Sequence, residues 1–227
     1  MYLNALICLL ISAFTFYTSI YILKSGINNL ADKSFGFFWL FSSFTWLFVC
    51  ISLILYKNGF EQMDIYVNQY LVQSAIFLQI AIGSYFGAFR ATRRKSWSIA
   101  LCLLTILISF IGLYFAYQPG SLYPIKNTFI SVEYQINDKT WTIFQVLFSL
   151  IIICTSIDFI RNLYYWFRRS SLFEEKYFFA CMSALIYAMV GYFDQRGVSA
   201  SWIAVLFRST LIICASIAYL AYSDKEV

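Results

Sequence analysis

The chain has 227 residues, 61% of them hydrophobic and only 12% charged, with a mean hydropathy of +0.72. A water-soluble domain carries about 25% charged residues, so a soluble globule is excluded. The formal net charge of +5 arises in connecting segments rather than along a basic face, which argues against nucleic acid as a partner.

Seven apolar segments are long enough to cross a bilayer, at about 4–23, 36–56, 66–89, 97–117, 141–163, 177–193 and 201–222. The expected fold is therefore all-α: a single seven-helix transmembrane domain over residues 1–227, in the cell membrane and most simply a bacterial inner membrane. The short sixth segment leaves six spans as the competing count. The first apolar run, Ala5 to Leu23, has no basic stretch before it and no small-residue cleavage site after it, so it reads as a retained helix rather than a signal peptide.

Orientation follows from Lys and Arg. With the N-terminus outside, eleven (24, 33, 90, 93, 94, 95, 161, 168, 169, 176, 225) fall on the cytoplasmic side. Four (57, 126, 139, 196) fall outside, and Arg208 lies within a span. The positive-inside rule then predicts N-out, C-in. Many of the 18 Tyr and 6 Trp sit near helix ends, as aromatic belts require.

The third segment organises the rest. At about 100° per residue, Gln69, Gln73, Gly83 and Gly87 fall within about 80° of one another, with Gln79 at their edge. Such a stripe faces other helices or a cavity rather than lipid. The segment ends in Arg90, Arg93, Arg94 and Lys95. With Arg168 and Arg169 after the fifth segment, these connecting-segment charges could dock anionic lipid or a partner protein.

Before the fifth segment, Thr128 to Ile136 alternates as TFISVEYQI. Asn137-Asp138-Lys139 then reads as a turn, and Thr140 to Ile143 alternates again. The pattern predicts a short β-hairpin, either a lid over an outward pocket or a packed loop.

Arg208 lies about 10 Å below the outer end of the last helix at 1.5 Å per residue. A guanidinium at that depth needs a partner or a route to water. It either binds an anionic group in an outward cavity or pairs structurally with Asp194. Candidate ligand-binding residues are Arg208, Asp194, Gln73, Gln69, Glu133 and Gln145, with Glu61 and Asp64 on the same side. Asp158 faces Arg161 and Asn162 on its own helix, which suits a local ion pair better than a proton relay.

All six cysteines lie in apolar runs with no CxxC pair, and read as small apolar filler. There is no histidine, which removes His-ligated zinc or haem, a Ser-His-Asp base and a histidine pH switch. No HExxH, GxSxG or P-loop pattern occurs, and no lysine inside a span offers a retinal attachment point. No metal, cofactor or catalytic residue is expected.

The order of features resembles the seven-helix input module at the N-terminus of some bacterial histidine kinases and diguanylate cyclases. The matching stretches are Asp32-Lys33-Ser34 leading into Phe35-Gly36-Phe37-Phe38-Trp39-Leu40 and Trp46, and the outer segment entering helix five through Trp141. The Arg-rich exit from Arg161 to Arg169 and the closing helix pair also match. The resemblance implies a sensory, receptor-like role with a ligand recognised from outside or within the bilayer. In those proteins the seventh helix continues into a catalytic domain. This sequence reaches Val227, so signalling through a separate partner is expected. A small-molecule transporter is the second reading and a lipid-modifying enzyme the third.

Overall fold

An apolar run can leave water only if its backbone hydrogen bonds are satisfied internally, and a helix does this within one segment. A computed structural model of the protein describes residues 2–25, 29–125, 133–195 and 201–223. Among the described residues seven helices are long and apolar enough to cross a membrane. They are α1 (Tyr2–Ser25), α2 (Leu30–Lys57), α3 (Glu61–Thr92), α4 (Lys95–Ala116), α5 (Asp138–Phe167), α6 (Glu175–Gln195) and α7 (Ser201–Ser223). Each expected span lies almost wholly within one of them, so the short sixth segment is a full helix.

The elements begin and end where local chemistry dictates. Asn29 caps α2 by accepting from the Ala31 N–H at 2.9 Å. At the end of α3, Arg93 adopts a left-handed conformation with φ 58°. That region is unfavourable for a side chain other than glycine, asparagine or aspartate. Here it turns the Arg93 guanidinium back toward Asp158 and Glu174.

The segment before α5 departs from expectation. Leu122–Ile125 (β1) pairs antiparallel with Glu133–Ile136 (β2), with Leu122 opposite Ile136. The expected turn at 137–139 and second strand at 140–143 are instead the start of α5. Asn137 accepts from the Thr140 N–H at 2.7 Å as its N-cap. Asparagine suits both a turn and a cap, and the wider context chose the cap. Residues 128–132 of the alternating stretch lie outside the described residues.

Helix α3 is the axis of the bundle. Of its most apolar 18-residue window 78% is buried, against 22% for α4. It packs on α2, α4 and α5, while α6 and α7 close the bundle against α5 and α1. Residues Val67–Val72 within α3 are π-helical. The Gln73 N–H bonds the Asn68 carbonyl, five residues back. One extra residue in the turn brings Gln73 onto the stripe that carries Asp64 and Asn68. The two stripe glycines serve different neighbours. A Cβ on Gly83 would meet the Phe38 ring of α2, and one on Gly87 would lie 3.2 Å from Cys154 Cβ of α5.

Candidate functional site

Both ends of the bundle are polar, and α3 joins them. At the end carrying the strand pair, Val49, Ser52, Asn68, Gln73, Asp194 and Arg208 line a recess of about 60 Å³, roofed by Leu122, Tyr134 and Ile136. Arg208 Nε donates to Asp194 Oδ1 at 3.1 Å, and its guanidinium stands 5.7 Å from the Trp46 ring centre. Asp64 is fully buried beside the recess. Its Oδ1 accepts from Ser52 and from Asn68 Nδ2, the latter at 3.0 Å. Asp64 Oδ2 and Gln73 Oε1 have no hydrogen-bond partner among the described residues.

Arg208, Asp194 and Gln73 thus meet in one recess, as their sequence positions suggested. Gln69 does not join them. Its amide donates to the Ala116 and Gln118 carbonyls at 3.1 and 3.0 Å, and so ties off the end of α4. Gln145 donates to the Tyr192 hydroxyl at 3.2 Å and belongs to the α5–α6 contact. The backbone of Glu133 pairs within β2, and its side chain lies outside the described residues.

A second polar level lies near the middle of the bundle. The Tyr187 hydroxyl accepts from Ser42 at 2.8 Å and from Trp46 Nε1 at 3.2 Å, and it donates to Gln79 Oε1 at 3.4 Å. Three helices converge on this one oxygen, counting the tyrosine's own. The middle of α2 and α6 thus carries polar groups at Ser42 and Tyr187. Both are short of charge and easily mistaken for packing residues in sequence.

The opposite end is an ionic lock. Asp158, fully buried on α5, accepts from Arg90 Nε at 2.8 Å, from Arg93 at 3.4 Å and from Arg161 of its own helix. Arg90 also reaches Glu174 Oε2 at 2.5 Å and stacks its guanidinium 3.6 Å over the Tyr177 ring centre. Asn162 accepts from the Glu174 N–H at 3.1 Å, which pins the α5–α6 turn. Beside this lock, Asp32 accepts from Lys176 at 2.7 Å and from the Tyr222 hydroxyl at 2.8 Å. The two groups meet at Tyr177, whose hydroxyl accepts from Asn29 at 3.1 Å. A pocket of about 330 Å³ opens alongside, between Glu174–Phe179 and Leu220–Ala221.

Burial alone would raise the pKa of Glu174. Hydrogen bonds from Arg93 and Arg90, with their charges, outweigh it and hold the carboxyl at about 2. The local Asp158–Arg161 pair expected from sequence is present. The larger partner, Arg90, is 68 residues away and left no local signal. The basic cluster is likewise split. Arg90 is buried inside the lock and Arg93 shares Glu174, while Arg94, Lys95, Arg168 and Arg169 are exposed.

Among the described residues no three His, Cys, Asp or Glu side chains gather as a metal centre of that donor type requires. No family model matches the chain, and no curated protein matches it.

Proposed function

We propose that the protein is a non-catalytic, receptor-like membrane subunit that recognises a small ligand at the strand-end recess and signals through a separate partner. In this reading the strand end is outside and the lock end cytoplasmic, in a bacterial inner membrane. The eleven-to-four distribution of Lys and Arg supports that orientation. The observation that carries the reading is the asymmetry of the two ends. One is a recess holding Arg208, Asp194 and a Gln73 oxygen with no donor among the described residues; at the other a buried charge network ties α3, α5 and α6 together, with the pocket lined by Glu174, Tyr177 and Leu220 beside it. A tied end of this kind opposite a polar recess suits recognition better than passage. We read the strand pair as a lid, because Leu122, Tyr134 and Ile136 line a recess with room for only a few waters.

The second reading, a small-molecule transporter, draws support from the Gln79–Tyr187 knot. It continues the polar face of α3 from Gln73 toward Arg90, about 26 Å at 1.5 Å per residue. One experiment separates the two readings. The protein is purified in mild detergent from its native membrane, and co-purifying proteins are identified and quantified. The receptor reading expects a stoichiometric partner with a cytoplasmic domain, lost when Arg94, Lys95, Arg168 and Arg169 are changed to Glu. A solitary protein that moves solute into proteoliposomes would replace it with the transporter.

A further inference from the structure

The buried carboxylate of Asp64 is not neutralised by any of the described groups. Asp64 is fully buried, and no Lys or Arg among the described residues pairs with it. Ser52 and Asn68 both donate to Oδ1. The start of α3 lends partial positive charge, but no N–H reaches Oδ2. An ionised carboxylate with a bare oxygen in a low-dielectric interior is expensive unless a cation neutralises it.

The neighbouring groups are of the kind that would hold one. Gln73 is 4% exposed, lines the recess, and presents a carbonyl oxygen without a donor. The Ser52 hydroxyl lines the same recess, and Asn68 Nδ2 donates both to it and to Asp64, which orients the two oxygens. The π turn at Val67–Val72 is what places Gln73 on this face, and π turns of this kind recur at functional sites. Arg208 and Asp194 pair with each other at the recess wall. A single carboxylate with neutral amide and hydroxyl oxygens calls for a hard cation of low charge. A recess of about 60 Å³ has room for an ion and a few waters.

We infer that Asp64, Gln73 and Ser52, oriented by Asn68, form a monovalent-cation site, selective for an ion of sodium size, behind the lid of the recess; the inference rests on the reading of that recess as the recognition site. The cation neutralises Asp64 and fixes the upper turns of α3 against α2. Its occupancy thereby sets the shape of the recess that an incoming ligand meets.

The test is the melting midpoint of the detergent-purified protein, titrated with sodium chloride against choline chloride at constant ionic strength. The midpoint is expected to rise saturably with sodium by several degrees, with potassium less effective. Asp64→Asn abolishes the rise, and Gln73→Leu moves its half-saturating sodium concentration up by about tenfold. Should Asp64→Asn fail to fold, retention of radioactive sodium by the wild-type protein, competed by unlabelled sodium and not by choline, gives the same answer. Equal midpoints in sodium and choline with no retained sodium would overturn the inference. A midpoint that follows pH alone would also overturn it, because Asp64 then carries a proton. Neither result touches the receptor reading, which stands or falls on the co-purified partner.

Discussion

At the scale of single residues, the lock end shows how a membrane protein keeps a carboxylate dry. Asp158 is fully buried yet ringed by Arg90, Arg93 and Arg161. Removing one partner of such a buried pair typically costs about 3–5 kcal/mol, because the other charge is left behind uncompensated. Glu174 differs, being about one-third exposed and shared by Arg90 and Arg93. Its folded pKa of about 2 lies below the unfolded value near 4.3. The stabilising contribution is therefore complete above about pH 5 and is lost as pH falls toward 2. Melting curves of wild type and Glu174→Gln should differ by a constant amount from neutral pH down to about pH 5 and converge toward pH 2. A gap unchanged at low pH would mean that Glu174 acts through packing rather than charge.

At the scale of elements, close helix approach depends on individual glycines. A Cβ on Gly112 of α4 would run into the Phe77 ring of α3, which is fully buried and stacked on Phe144 with centroids 4.4 Å apart. Gly112→Ala has to unseat that stack, and over-packing of this kind costs about 1–3 kcal/mol. Gly87→Ala meets only Cys154 Cβ at 3.2 Å, a contact relieved by a few tenths of an ångström. Thermal melts should therefore rank Gly112→Ala well below Gly87→Ala; the reverse order would place the tight α3 contact on α5 instead of α4. The helices themselves were legible in sequence, since runs of about 20 apolar residues admit few other structures in a bilayer. Which glycine mattered was not. Gly83 and Gly87 carry a recognisable spacing but face two different helices, whereas Gly112 has no motif around it. The strand pair was half legible for a related reason. The alternation that marks β2 is local, but its partner Leu122–Ile125 is too short to show a period and contains a proline. In the recess, Arg208, Asp194 and Gln73 could be grouped because depth along a helix is readable from residue count. The departure of Gln69 could not, because the π turn at Val67–Val72 rotates the stripe by one residue.

At the scale of the whole molecule, the distribution of charge ties structure to orientation. The alternating helix directions put the ends of α1, α3, α5 and α7 beside the starts of α2, α4 and α6, and this is the end that gathers Arg90, Arg93, Arg161 and Lys176. Positive charge is retained on the cytoplasmic side during insertion, so this end should be cytoplasmic and the strand end outside. The lock and the topology then share a cause. Arginines placed for insertion sit one turn from the core, where buried Asp158 and part-buried Glu174 turn them into structural ties between α3, α5 and α6. Exposed Arg94 and Arg168 remain outside those ties. Single cysteines at Lys126 and Arg168, in a chain whose six native cysteines are changed to serine or alanine, distinguish the two sides. A membrane-impermeant maleimide applied to intact cells should label Lys126→Cys and spare Arg168→Cys until the membrane is opened. The opposite pattern would turn the molecule over. It would place the recess on the cytoplasmic side and require any recognised ligand to come from within the cell.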